Sequence, residues 1–158
     1  MELINYTLLT IVTYIGIFCG VVLSFISPEE LKPGKRYFLI MQKILLFLMS
    51  ISLFYHITFI NIILSLTIVL FAIIQKNSFI AYLLFAIIIF INVQNIALVT
   101  IISVLIFLYG LPTGSLLSNT KKKTVSLLMC LRFGYYPLLA VLLAVVIRII
   151  SPSISSYL

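Results

Sequence analysis

Acid–base, thiol or metal chemistry in this chain of 158 residues would rest on three glutamates, one histidine and two cysteines. Glu2 stands at the start, Glu29 and Glu30 share a polar break, and aspartate is absent. No carboxylate therefore falls within an apolar run, where a proton relay or a Mg²⁺ site in a membrane would need one. His56 is alone, and one imidazole without a second histidine or a helical carboxylate does not complete a zinc site. A Ser-His-Asp set lacks its acid, and no glycine-rich phosphate loop occurs. Cys19 and Cys130 lie singly inside apolar sequence and read as small buried hydrophobes. The expectation is a protein that is not an enzyme and takes no cofactor and no metal.

The remaining polar and small residues fall into three groups. His56, Asn61, Asn92, Gln94, Asn95 and Arg148 sit near the ends of apolar segments. They read either as turn residues that satisfy nearby backbone or as a shallow outward-facing pocket for a small polar or anionic solute, with His56, Asn95 and Arg148 as contacts. Lys35, Arg36, Lys43, Lys121, Lys122, Lys123 and Arg132 are expected to meet lipid headgroups or another anion, Lys43 by snorkelling on its apolar stem. Gly16, Gly20 and Ser24 recur every fourth residue, as do Ala140 and Ala144. Small residues at that spacing let helix backbones approach closely, either within one chain or against a partner protein.

These groups are carried by greasy sequence. Hydrophobic residues make up 64% of the chain and charged ones 8%, against roughly 45–50% and 25% in soluble domains. Only Lys43 and Lys76 interrupt the run from Tyr37 to Tyr109. Hydrocarbon admits helices or closed barrels, and barrel strands alternate apolar and polar residues, which these runs do not. The fold expected is all-α: a polytopic helical bundle forming a single transmembrane domain over 1–158, with about six transmembrane helices at 3–26, 37–55, 57–75, 79–91, 96–109 and 125–150. The start of the chain lacks a basic region and a small-x-small cleavage site, so the first segment is expected to be retained. Ser27-Pro28-Glu29-Glu30 reads as a helix start that Pro33-Gly34 stops after one turn. Gly110-Leu-Pro112-Thr-Gly114 reads as a breaker cluster, and Pro137 as a mid-helix kink. Gln42-Lys43 with Asn61, and Gln75-Lys76 with Asn95, hint at a duplicated hairpin.

Charge sets the threading. With six crossings, Lys32, Lys35, Arg36, Lys76 and Lys121 to Lys123 all fall on one side, which the positive-inside rule makes cytoplasmic, with both termini outside. If 79–109 were a single long helix, the triple lysine would fall on the other side. The function expected is a non-catalytic subunit or assembly partner of a membrane complex in the plasma membrane. The alternative is a small-solute binding or transport component. Partners are membrane lipid and another membrane protein or a second copy; nucleic acid is not expected, since the net charge of +7 sits in short loops. The stretch Pro28-Glu-Glu-Leu-Lys-Pro-Gly-Lys-Arg-Tyr-Phe38, following a first membrane helix, resembles one in a group of small uncharacterised archaeal polytopic membrane proteins. That resemblance implies an archaeal plasma membrane and no chemistry.

Overall fold

A backbone amide in hydrocarbon has no water to bond, so the chain must satisfy itself turn by turn. Every described element is accordingly helical. The structure, a computed structural model, describes residues 3–55, 58–74, 78–119 and 134–150. Helix α1 covers Leu3–Ile26, a 3-10 turn covers Pro28–Glu30, and α2 covers Leu31–Tyr55. Then follow α3 (Phe59–Ile74), α4 (Ser78–Ile91), α5 (Ile96–Asn119) and α6 (Tyr135–Ile150). Three stretches, Tyr6–Ile26, Pro33–Tyr55 and Ile96–Leu117, are long and apolar enough to cross a membrane. The apolar helices Phe59–Ile74 and Ile80–Ile91 are shorter; at 1.5 Å per residue, 16 residues reach about 24 Å against a hydrocarbon core of about 30 Å.

The bundle is organised around α1 and α5, the most extensively packed pair. Next in extent come α2 against α5 and α3 against α2. Helix α6 joins α4 to α1, whereas α3 barely touches α4. The first pair runs parallel. Position 16 of α1 lies against Phe107 and Gly110 of α5, and position 20 lies against Gly110, Leu111 and Gly114, so the register rises in the same direction along both helices. The ends of α1 and α5 therefore leave the bundle on the same side. Ile17, Leu46, Met49, Leu53, Phe85, Ile102 and Ile106 fill the core, while Leu8, Ile15, Phe47, Ile63, Leu66 and Leu70 point outward.

Residues 79–109 form two helices, as expected, because the chain turns at Asn92 to Gln94 and α5 starts afresh at Ile96. Three sequence expectations change. Pro33-Gly34 does not stop a helix: Pro33 is the third residue of α2, where its missing N–H would have had no partner anyway. The breaker cluster Gly110 to Gly114 lies inside α5, which continues to Asn119 rather than ending at 109. Its glycines are packing surface; Pro112 removes the N–H that would bond Leu108 O, and beside it Thr113 Oγ1 donates to Tyr109 O at 2.7 Å and Ser115 Oγ to Leu111 O at 3.0 Å. Pro137 falls in the first turn of α6, after a turn at Gly134, so it does not bend that helix at its middle. Of the hinted hairpin repeat, Gln42 is buried within α2, and Gln75 and Lys76 lie outside the described residues.

Candidate functional site

The α1–α5 crossing is made of backbone against backbone. A Cβ added at Gly16 would meet the Phe107 carbonyl, one at Gly20 the Leu111 carbonyl, and one at Gly114 the Ile17 carbonyl. At Gly110 it would stand 2.6 Å from the Gly16 carbonyl carbon. Both helices thus present a Gly-x-x-x-Gly step to each other, and Ser115 Oγ crosses the seam to donate to Gly20 O at 3.0 Å. Ser24 donates back to Val21 O at 2.6 Å on its own helix. The stripe Gly16, Gly20, Ser24 is buried within the chain.

Hydroxyls and one amide tie the other helices. Gln42 Nε2 donates to Thr113 Oγ1 at 2.8 Å, linking α2 to α5. Ser50 and Ser65 pair at 2.7 Å across α2 and α3, and Thr13 pairs with the Tyr136 hydroxyl at 3.0 Å across α1 and α6. Tyr136 stacks edge-on against Tyr82 at 5.5 Å between ring centroids, and Tyr109 lies 5.2 Å from Phe85. These contacts fasten α4 and α6 to the central pair.

The amides expected to line an outward pocket serve their own turn. Asn92 Nδ2 donates to Ile88 O at 3.0 Å, and Asn95 N–H donates to Asn92 O at 2.9 Å. Asn95 Oδ1 accepts the Leu98 N–H at 3.1 Å, the N-cap of α5. Asn61 is buried in the first turn of α3, where its N–H donates to Thr58 Oγ1 at 3.3 Å, and Gln94 is exposed. None of these four lines a described cavity with another. His56, Lys76, Lys121, Lys122, Lys123, Cys130 and Arg132, and the side chains of Ala140, Ala144 and Arg148, lie outside the described residues. Among the described residues, no group of three or more His, Cys, Asp or Glu comes together to hold a metal.

Lys35, Arg36 and Lys43 are exposed along α2. Lys43 sits at the edge of an open groove of about 470 Å³ between α2 and α3, floored by Ile44, Phe47, Val69, Ala72 and Ile73. A second hollow of about 290 Å³ lies where α1, α2 and α5 meet, lined by Ser24, Ser27, Phe38, Met41, Pro112 and Ser115. No protein-family model, curated protein or solved structure matches the chain. The likeness of residues 28–38 to archaeal membrane proteins gains no support from them.

Sequence reasoning missed Gly110, Gly114, Gln42, Thr113, Ser50, Ser65, Thr13 and Tyr136 as helix-joining residues. For the two glycines a signal existed, since their four-residue step repeats that of Gly16 and Gly20. The hydroxyl pairs had none, because nothing in a sequence says which serine faces which.

Proposed function

We propose that the protein is a six-span membrane protein, with both termini outside and its lysine-rich connections cytoplasmic, that serves as a non-catalytic subunit or assembly partner of a larger membrane complex. The threading draws its support from the parallel α1–α5 register. The chain leaves α1 toward Lys32, Lys35 and Arg36, and leaves α5 toward Lys121, Lys122 and Lys123, from one side of the bundle. Gathering lysines on one side is what the positive-inside rule acts on.

The subunit reading is carried by α3. That helix leans on α2, barely touches α4, and turns Phe59, Ile63, Leu66 and Leu70 outward along its length. The glycine stripe is already covered by α5, so a protein partner would meet the α3 face instead. The solute-binding alternative called on His56, Asn95 and Arg148; of these Asn95 caps α5 through its Oδ1, and His56 and the Arg148 side chain lie outside the described residues.

The test is isolation of the tagged full chain in mild detergent, with stoichiometry read by mass spectrometry. A partner, or a second copy, is expected at fixed ratio and is expected to be lost in Leu66→Trp and Leu70→Trp. Recovery of the monomer alone at every detergent strength would overturn the reading. Cysteine labelling in sealed vesicles checks the threading: a cysteine at Glu29 and one at Gln94 should react from opposite sides.

A further inference from the structure

We propose that the groove between α2 and α3 is a binding site for one anionic phospholipid, with Lys43 holding the headgroup phosphate and an acyl chain lying along Phe47, Val69, Ala72 and Ile73. The inference rests on the membrane reading and the basic-side threading, and is independent of the subunit assignment.

Three observations converge on this groove. First, Lys43 is level with the end of α3. The hairpin register pairs Ser50 with Ser65, and stepping seven residues outward on each helix pairs Lys43 with Ala72, two residues before α3 ends at Ile74. Lys43 is therefore beside the place where the shorter helix stops, and its apolar stem can carry the ammonium from there toward the lysine-bearing side. Second, the charge there is one-sided. Neither α2 nor α3 contains a carboxylate, Arg36 lies two turns before Lys43 on the same helix, and Lys76 follows α3 in the chain. A cation at an apolar edge calls for an anion, and here the protein itself supplies none on either wall. Third, the groove is shaped for hydrocarbon. Its volume of about 470 Å³ falls within the range of small-molecule sites, roughly 300–1,000 Å³, and every wall residue below Lys43 is apolar. A phosphate with an attached chain satisfies both parts at once, which a free anion or a bare acyl chain does not.

The experiment uses the full chain in detergent, titrated with phosphatidylglycerol or with phosphatidylcholine of identical chains and read by native mass spectrometry. Phosphatidylglycerol should be retained preferentially. Lys43→Gln should weaken it about fivefold, the contribution of one basic residue at a membrane surface, while leaving phosphatidylcholine unchanged; Lys43→Arg should restore it. Ala72→Phe, which fills the groove, should weaken both lipids. Glycerol phosphate without acyl chains should not compete at equal concentration.

Equal retention of the two lipids, or retention of phosphatidylglycerol undiminished in Lys43→Gln, would overturn the proposal. So would loss of folding stability in Lys43→Gln with lipid occupancy intact, which would assign the lysine to the carbonyl end of α3. A protein partner lost in Lys43→Gln while lipid binding is unaltered would assign the groove to a helix instead. Because lipid retention is read on the isolated chain, absence of a partner in pull-down leaves this test standing.

Discussion

Replacing Gly110 by alanine should separate the two central helices. The added Cβ would lie 2.6 Å from the Gly16 carbonyl carbon, 2.7 Å from Ile17 N and 3.0 Å from Gly16 Cα, all of them backbone atoms that cannot swing aside. Ordinary contact begins at 3.4 Å, so α1 and α5 must part by about 1 Å, a strain of the overpacking kind worth about 1–3 kcal/mol. That shift also stretches the Ser115–Gly20 hydrogen bond, now 3.0 Å, beyond useful length, which adds about 0.6 kcal/mol by the average for membrane helices. Against this, alanine gains about 0.5–1 kcal/mol over glycine within a helix. The net expectation is a loss of about 1–3 kcal/mol in unfolding free energy, measured by denaturant titration in mixed micelles. Gly16→Ala alone should cost a similar amount, because its Cβ meets the Phe107 carbonyl. The double variant should cost less than the sum, since helices already parted by one methyl admit the second. Gly34→Ala is the control: its Cβ would meet the Phe38 ring at 3.2 Å, a side chain that can rotate away, so stability should hold or rise slightly. Additive costs in the double variant, or a Gly110→Ala protein as stable as its parent, would refute the close crossing.

Other substitutions probe the remaining ties. Asn95→Ala removes the acceptor for the Leu98 N–H and should lower stability by about 1 kcal/mol, with Asn95→Asp recovering most of it, in the same titration. Ser50→Ala and Ser65→Ala should each cost about 0.6 kcal/mol, and a double-mutant cycle should return that value as their coupling. Tyr136→Phe keeps the ring against Tyr82 but loses the hydroxyl to Thr13. It should therefore cost little on a Thr13→Val background and about 1 kcal/mol on the parent.

How much of this was legible follows from what lipid permits. Long apolar runs broken at Ser27 to Glu30 and at Asn92 to Asn95 could only become helices with turns at those breaks, and they do. The errors came from judging Pro33-Gly34 and Gly110 to Gly114 as stops, a rule drawn from helices whose freed backbone groups face water. In α5 the glycines stay helical against a neighbour close enough to need them. Of the two readings of the outer polar residues, Asn92 and Asn95 follow the turn reading, since an asparagine one residue before a helix reaches its first-turn amides readily, while His56 and the Arg148 side chain lie outside the described residues. Lys43 was visible as a charge, whereas its level beside the last turn of α3 depends on the Ser50–Ser65 register, which only the folded hairpin reveals.

The seam between α1 and α5 also has a consequence for how the molecule is made. Ser115 follows its partner Gly20 by 95 residues, so at about 5–20 residues per second a ribosome needs roughly 5–20 s to deliver the second helix after the first. Throughout that interval the flat face of α1 rests against lipid or the insertion machinery. A nascent chain halted before Gly110 lacks the helix that covers that face in the folded molecule.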